Sequence, residues 1–283
     1  NDDICLVYDT LDGSIRDLSA DLDGKTFRCA ETDSAGNIWI GCEYGIYVYD
    51  RDWKVTAHFE QSPDNPNGLN NSPVYCIFRD KDENMWAGTY FGGVNYFLSG
   101  SDQFRHWSAG TGDSHLSGKA VRQIANAPDG GLVIATEDGG LNYIGKDGRI
   151  HGDILSRDRH IAASNVHSLC VDGDGSLWIG LFLKGILHWR NDGIIDDYSI
   201  YSKSISSAFD IAGTPDGRIW YAGPSGLFRI EGARPPVRIS PLRFLVIEVL
   251  DDSTIIAGAR KGGLYIIDTE TMEMRHPDCL PEE

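Results

Sequence analysis

The sequence predicts an all-β fold, a β-propeller of four-stranded antiparallel blades, and three observations predict it. A segment made of a turn, a short apolar strand, a glycine, a polar loop, a second glycine and another apolar strand recurs six times along the chain. Taken at Trp39, Trp86, Val133, Trp178, Trp220 and Ile256, the copies lie 47, 47, 45, 42 and 36 residues apart, near the roughly 40 to 50 residues of a propeller blade. No window carries the i, i+3, i+4, i+7 apolar stripe of a helix, whereas each unit has several short β-branched or aromatic runs parted by Gly, Asp, Asn or Pro.

The elements follow in order. Val7-Tyr8-Asp9 aligns with Val48-Tyr49-Asp50, so Ile4 to Tyr8 reads as a third strand and Ser14 to Leu18 as a fourth, joined at Asp12-Gly13. Residues 1–20 therefore form the outer half of a blade, and whole blades are expected at 25–60, 73–108, 120–153, 165–200, 206–232 and 243–276. The second of these shows its strands at Val74 to Phe78, Met85 to Gly88, Val94 to Phe97 and Gln103 to Trp107, innermost first. Six blades and a half, in one domain over residues 1–283, suggest a seven-bladed ring cut from a longer protein. Within each repeat, Asp-Gly and Gly-Asn pairs supply the positive φ of the first hairpin turn. The tryptophan packs one blade on the next, and the later glycine admits the turn into the third strand. Trp53 and Trp107 are expected on outer strands.

Composition narrows the functions. Of 283 residues, 41% are hydrophobic, enough for a substantial core. The 25 basic residues against 42 acidic ones leave a net charge of −17, which repels nucleic-acid phosphates and anionic lipid headgroups. No run of about 18 apolar residues offers a membrane span, and Asn1-Asp2-Asp3 lacks the basic start of a signal peptide. Cys5, Cys29, Cys42, Cys76, Cys170 and Cys279 are too dispersed for a disulfide framework and form no C-x-x-C pair. They read as free thiols, with Cys29 and Cys76 inside strands. Asp172-Gly173-Asp174-Gly175 has the opening of a calcium loop but not its distal acids, and it reads as a hairpin turn. No cofactor or metal is expected.

The repeat, with its finer strings Thr89-Tyr90-Phe91-Gly92-Gly93-Val94-Asn95-Tyr96, Leu116-Ser117-Gly118, Thr136-Glu137-Asp138-Gly139-Gly140-Leu141-Asn142 and Asn165-Val166-His167-Ser168-Leu169, resembles the regulator propeller repeats of the periplasmic sensor domains of hybrid two-component histidine kinases from gut bacteria. The resemblance covers nearly the whole chain. It implies a periplasmic, non-enzymatic module that binds an oligosaccharide and relays its presence to a kinase. It also implies, as partners, adjoining domains of the parent sensor and a second copy of the chain. The pattern is broken at Val133-Ile134-Ala135, Trp220-Tyr221-Ala222 and Ile256, where blades should be more weakly specified.

A sugar site needs flat aromatic faces and converging carboxylate, amide or guanidinium groups, and in a propeller it sits on loops at one end of the blades. The loops between second and third strands carry the best set: Tyr90, Phe91, Glu137, Asp138, Phe182, Lys184, Arg260 and Lys261, with Glu43 and Tyr44 in the first blade. Connections into the inner strands carry a second set: Asn70, Asn71, His115, Arg157, His160 and Asn165. The acidic net charge favours a neutral glycan, the exception being convergence of Lys184, Arg260, Lys261, Arg157 and Arg159 on an acidic sugar. Two other readings remain: a protein-docking scaffold, and a propeller glycosidase or lyase, for which no carboxylate pair is recognisable.

Overall fold

The computed structural model describes residues 5–9, 11, 13–19, 26–65, 67–98, 104–112, 114–127, 129–159, 161, 165–198, 207–232 and 234–277, the side chains of 157–159 excepted. Six four-stranded antiparallel sheets, each in consecutive chain order, make six propeller blades, and a two-stranded sheet precedes them. The innermost strands are Phe27–Thr32, Val74–Arg79, Val121–Asn126, Val166–Val171, Asp210–Gly213 and Phe244–Val249, opening blades one to six. The one helix among the described residues, Ile154–Arg159, is under two turns long. The fold class expected from the repeat is the one observed.

The chain divides into two compact units, one of residues 1–9 and 15–165, the other of 10–14 and 166–283. In the first, strands Leu6–Tyr8 and Ile15–Asp17 pair antiparallel as the expected half blade. They bring Cys5 and Leu18 onto Ile40, Cys42, Tyr47 and Tyr49 of blade one. Blades one, two and three then pack in sequence. Trp39 meets Val74, Ile77 and Met85 of blade two, and Trp86 meets Ile124, Leu132 and Ile134 of blade three. In the second unit, Trp178 packs on Ile211, Ile219 and Tyr221 of blade five, and Trp220 on Ile247 and Ile255 of blade six. All four rings are buried, each contributing about 1.5–3 kcal/mol or more. Each tryptophan reaches the blade that follows it, the role its spacing implied.

Two features of the repeat have a sharper physical cause than turn propensity. The glycine two residues after the tryptophan is where the next blade presses hardest. A Cβ on Gly88 would stand 2.4 Å from Val121 Cγ1, the first residue of blade three's inner strand, and 2.5 Å from Cys76 Sγ. The glycine opening the third strand is forced by the fourth. Gly93 has φ of +89° and a Cβ there would lie 2.3 Å from the Trp107 carbonyl oxygen.

The inner strands share a second device. In blades one, two, three, four and six the register against the second strand slips by one residue, at Phe27/Cys29, Val74/Cys76, Val121/Gln123, Val166/Ser168 and Phe244/Val246. Such bulges release one side chain from strict inward and outward alternation. The released residues are Arg28, Tyr75, Arg122, His167 and Leu245.

Trp53 departs from expectation. It lies in the turn Asp50–Lys54 with φ of +62°, before the outer strand Val55–Phe59, where it packs on Tyr49. Trp107 is on the outer strand Phe104–Trp107 as expected and stacks on Trp86 at 5.2 Å. Asp172-Gly173-Asp174-Gly175 is a hairpin turn, with Asp172 accepting the Trp178 indole N–H at 3.3 Å. Cys5, Cys29, Cys42, Cys76 and Cys170 are free thiols. Burial holds Cys76 and Cys170 up at about 12 and lifts Cys29 well above the thiol range. Cys279 and the expected turn residue Asp12 lie outside the described residues.

Candidate functional site

Loops between second and third strands share one end of each blade with the start of its inner strand, because Val74 pairs with Thr89 and Arg79 with Met85. In the first unit this end gathers charge and aromatic surface around Tyr75. The Arg28 guanidinium sits 4.1 Å from the centre of the Tyr75 ring and that of Arg122 5.2 Å from it. Each arginine is also held by a loop carboxylate, Arg28 by Glu43 and Arg122 by Glu137, the latter at 3.3 Å. Burial keeps the Tyr75 hydroxyl above the usual tyrosine range.

Tyr90 stacks on Tyr75 with ring centres 4.9 Å apart, and Phe91 meets Tyr90 edge-on at 4.3 Å. Phe91 is 64% exposed. Its backbone is anchored, since Phe91 N–H donates to Asn71 Oδ1 at 3.3 Å and Tyr90 N–H to the Pro73 carbonyl at 3.0 Å. The outcome is a fixed aromatic step beside two neutralised arginines.

The other expected residues fall into distinct roles. Asp138 Oδ1 accepts the backbone N–H groups of Lys119 at 2.8 Å and Ala120 at 3.1 Å, which ties the loop into blade three. Phe182, on the second unit, stacks at 5.0 Å on His167, which lies 6.2 Å from Phe209, and the Arg243 guanidinium sits over Phe209 at 5.3 Å. Lys184, Arg260 and Lys261 are exposed on loops of the same unit. Arg260 N–H donates to the Arg243 carbonyl at 2.8 Å. Of the second set, Asn70 is structural: its backbone N–H donates to Oδ1 of the buried Asn95 at 2.9 Å, its Oδ1 accepts from the Asn95 amide at 2.9 Å, and its side-chain amide donates to the Gly92 carbonyl at 2.6 Å. His115 is exposed beside Ser114, and Asn165 stands at the entry to blade four. His160 and the side chains of Arg157 and Arg159 lie outside the described residues.

Sequence reasoning missed Arg28, Tyr75 and Arg122. The signal available was positional. Each is the second residue of its inner strand, thirteen before the repeat's glycine or, in blade three, before Ala135.

The sequence matches the two-component regulator propeller family over residues 68–91 and 160–182. Among curated proteins none matches it. Among solved structures the chain resembles the extracellular domain described as a hybrid two component system from B. thetaiotaomicron, at 18% identity and TM-score 0.76 over 87% of this chain and 34% of that one. It also resembles virginiamycin B lyase from Staphylococcus aureus, at 16% identity and TM-score 0.70 over 90% and 85% of the two chains. A third likeness is PorZ of Porphyromonas gingivalis, a surface component of the type-IX secretion system, at 14% identity and TM-score 0.64 over 92% and 42%. The chain thus spans about a third of the B. thetaiotaomicron domain. At these identities the likenesses establish the propeller fold. The chain is thus a β-propeller, and two of its segments, residues 68–91 and 160–182, match the two-component regulator propeller family.

Proposed function

We propose that this chain is an extracytoplasmic sensor module of a two-component signalling protein, binding a neutral oligosaccharide at the Tyr90–Phe91 step and relaying its presence to a histidine kinase. One observation carries the ligand class: the exposed Phe91 ring is braced by Tyr90 and Tyr75, and both neighbouring arginines are already paired with carboxylates. A flat apolar face stacks a pyranose ring, and paired cations leave little net charge to recruit an anion. The regulator propeller repeats support the signalling role, and the adjoining domains of the parent protein are the natural recipients of the signal.

Calorimetry with a panel of neutral oligosaccharides, coupled to product analysis, tests this reading. Binding without turnover is expected, nearly independent of ionic strength. Phe91→Ala should weaken it about tenfold, equivalent to ~1.4 kcal/mol. Wild-type affinity in both Phe91→Ala and Tyr90→Ala would remove the step from the site. Cleavage of the sugar would favour instead a propeller glycosidase or lyase.

A further inference from the structure

We propose that a cleft between blades two and three, at the blade ends opposite Phe91, is a second binding site that takes an acidic sugar. The cleft has a volume of about 440 Å³ and lies wholly within the first unit, between the first hairpin turn and outer strand of blade two and the two hairpin turns of blade three. Its size suits one or two sugar rings.

The wall from blade two is aromatic. Trp107 stacks on the buried Trp86 at 5.2 Å with the planes 23° apart, and Tyr96 packs on both, at 4.5 Å from Trp86 and 5.9 Å from Trp107. Trp107 and Tyr96 are half-buried, so each keeps surface facing the cleft. The Tyr96 hydroxyl makes no hydrogen bond among the described residues, and burial together with Asp80 holds it above the usual tyrosine range. It is a neutral donor available to a ligand.

The cations distinguish this cleft from the Phe91 step. Lys81, from the first hairpin of blade two, and Lys146, from the last hairpin of blade three, converge over Gly130. Each ammonium lies 2.9 Å from the point where a Cβ on that glycine would stand, so two like charges from different blades are held side by side. Neither lysine is ion-paired among the described residues, and the same is true of Arg105, which enters the cleft from the outer strand beside Trp107. The lining keeps an excess of positive charge, three cations against two acids: Asp80, which accepts from the Trp86 indole at 2.7 Å and from Asn84, and Asp82 at the rim. Asp129, outside the lining, is held by the Tyr143 hydroxyl at 2.5 Å and also attracts Lys146. In a chain of net charge −17, three unpaired cations beside an aromatic wall form a local exception to the surrounding field. An anionic group bridging Lys81 and Lys146 relieves their repulsion through charge-assisted hydrogen bonds, while the attached ring lies on Trp107. A uronic or sulfated sugar has both parts.

The test titrates the full 283-residue chain with a chondroitin sulfate tetrasaccharide, with its desulfated and carboxyl-reduced counterpart, and with sodium sulfate alone, by calorimetry and tryptophan fluorescence. The acidic tetrasaccharide should bind, quench fluorescence and weaken as salt rises, and the other two should bind at least tenfold more weakly. Lys81→Ala with Lys146→Ala should cost at least tenfold, and Trp107→Ala likewise. If the Trp107 variant fails to fold, the exposed lysine pair decides alone. Phe91→Ala should leave this affinity unchanged, so loss of one site is distinguishable from loss of the other. No binding of the acidic tetrasaccharide, equal binding of sulfate alone, or wild-type affinity in the lysine double variant would overturn the proposal.

Discussion

Asp210 shows how much one side chain can set the pH response. Its carboxyl is half-buried between blades five and six and accepts N–H groups from Ile211 at 2.9 Å and Ile247 at 2.8 Å. Burial nevertheless outweighs those donors and raises its pKa from 3.8 to about 7. A native pKa above the unfolded one means that the folded chain keeps a proton that the unfolded chain has released. The associated stability is therefore complete below the unfolded value and is lost as pH rises toward about 7. Burial lowers His106 and His188 from 6.5, and these act with the opposite sign over an overlapping range. The difference between proteins is thus the diagnostic quantity. Thermal melts of wild type and Asp210→Asn between about pH 5 and 8 should diverge, the wild type losing stability relative to the variant as pH rises by up to a few kcal/mol; parallel curves would show that the carboxyl stays ionised. Nothing in Phe209-Asp210-Ile211 as a string announces this, because the burial comes from the strand Phe244–Val249, more than thirty residues away.

Within a blade, tryptophan works with a partner six residues earlier. Trp39, Trp86 and Trp178 donate their indole N–H to Asp33, Asp80 and Asp172 at 3.0, 2.7 and 3.3 Å, and each aspartate also closes its hairpin turn. Where the tryptophan is missing the aspartate is missing too, since Ala127 precedes Val133 and Leu250 precedes Ile256 by the same six. Blade five alone breaks the pair: Thr214 stands where the aspartate would, and the buried Trp220 indole nitrogen has no hydrogen-bond partner among the described residues. A buried N–H left unpaired costs about 1–3 kcal/mol. Trp86→Phe should therefore destabilise more than Trp220→Phe, by about 1–2 kcal/mol in denaturant melts; equal losses would mean that the indole bond contributes nothing net. The tryptophan register was legible because it recurs and because large rings need burial. The aspartates were just as periodic, but turn propensity already accounted for an Asp in a hairpin and hid the second role.

At the scale of the whole molecule the net charge of −17 acts on everything. Self-repulsion of that size outweighs a few surface ion pairs, each worth about 0–1 kcal/mol. Raising salt from about 10 to 150 mM should accordingly raise the melting temperature, and a fall would show the ion pairs to dominate. Blade number, strand order and the half blade at the start were readable from the repeat because period-two patterning and turn residues are local. Phe91 and Tyr90 were readable as loop aromatics. The arginines beside them were not, because a bulge depends on how two strands slide past one another. That slip has a consequence for change over generations. A residue in an ordinary strand position is bound to its cross-strand neighbour and to the core, so replacing it disturbs the blade. The residue at the slip answers to contacts within the loops instead of to that fixed pairing, and Arg, Tyr, Arg, His and Leu occupy it in turn at 28, 75, 122, 167 and 245. Mutation can therefore rewrite these positions one by one while the scaffold stays constant, and recognition can diverge between relatives without the fold having to be found again.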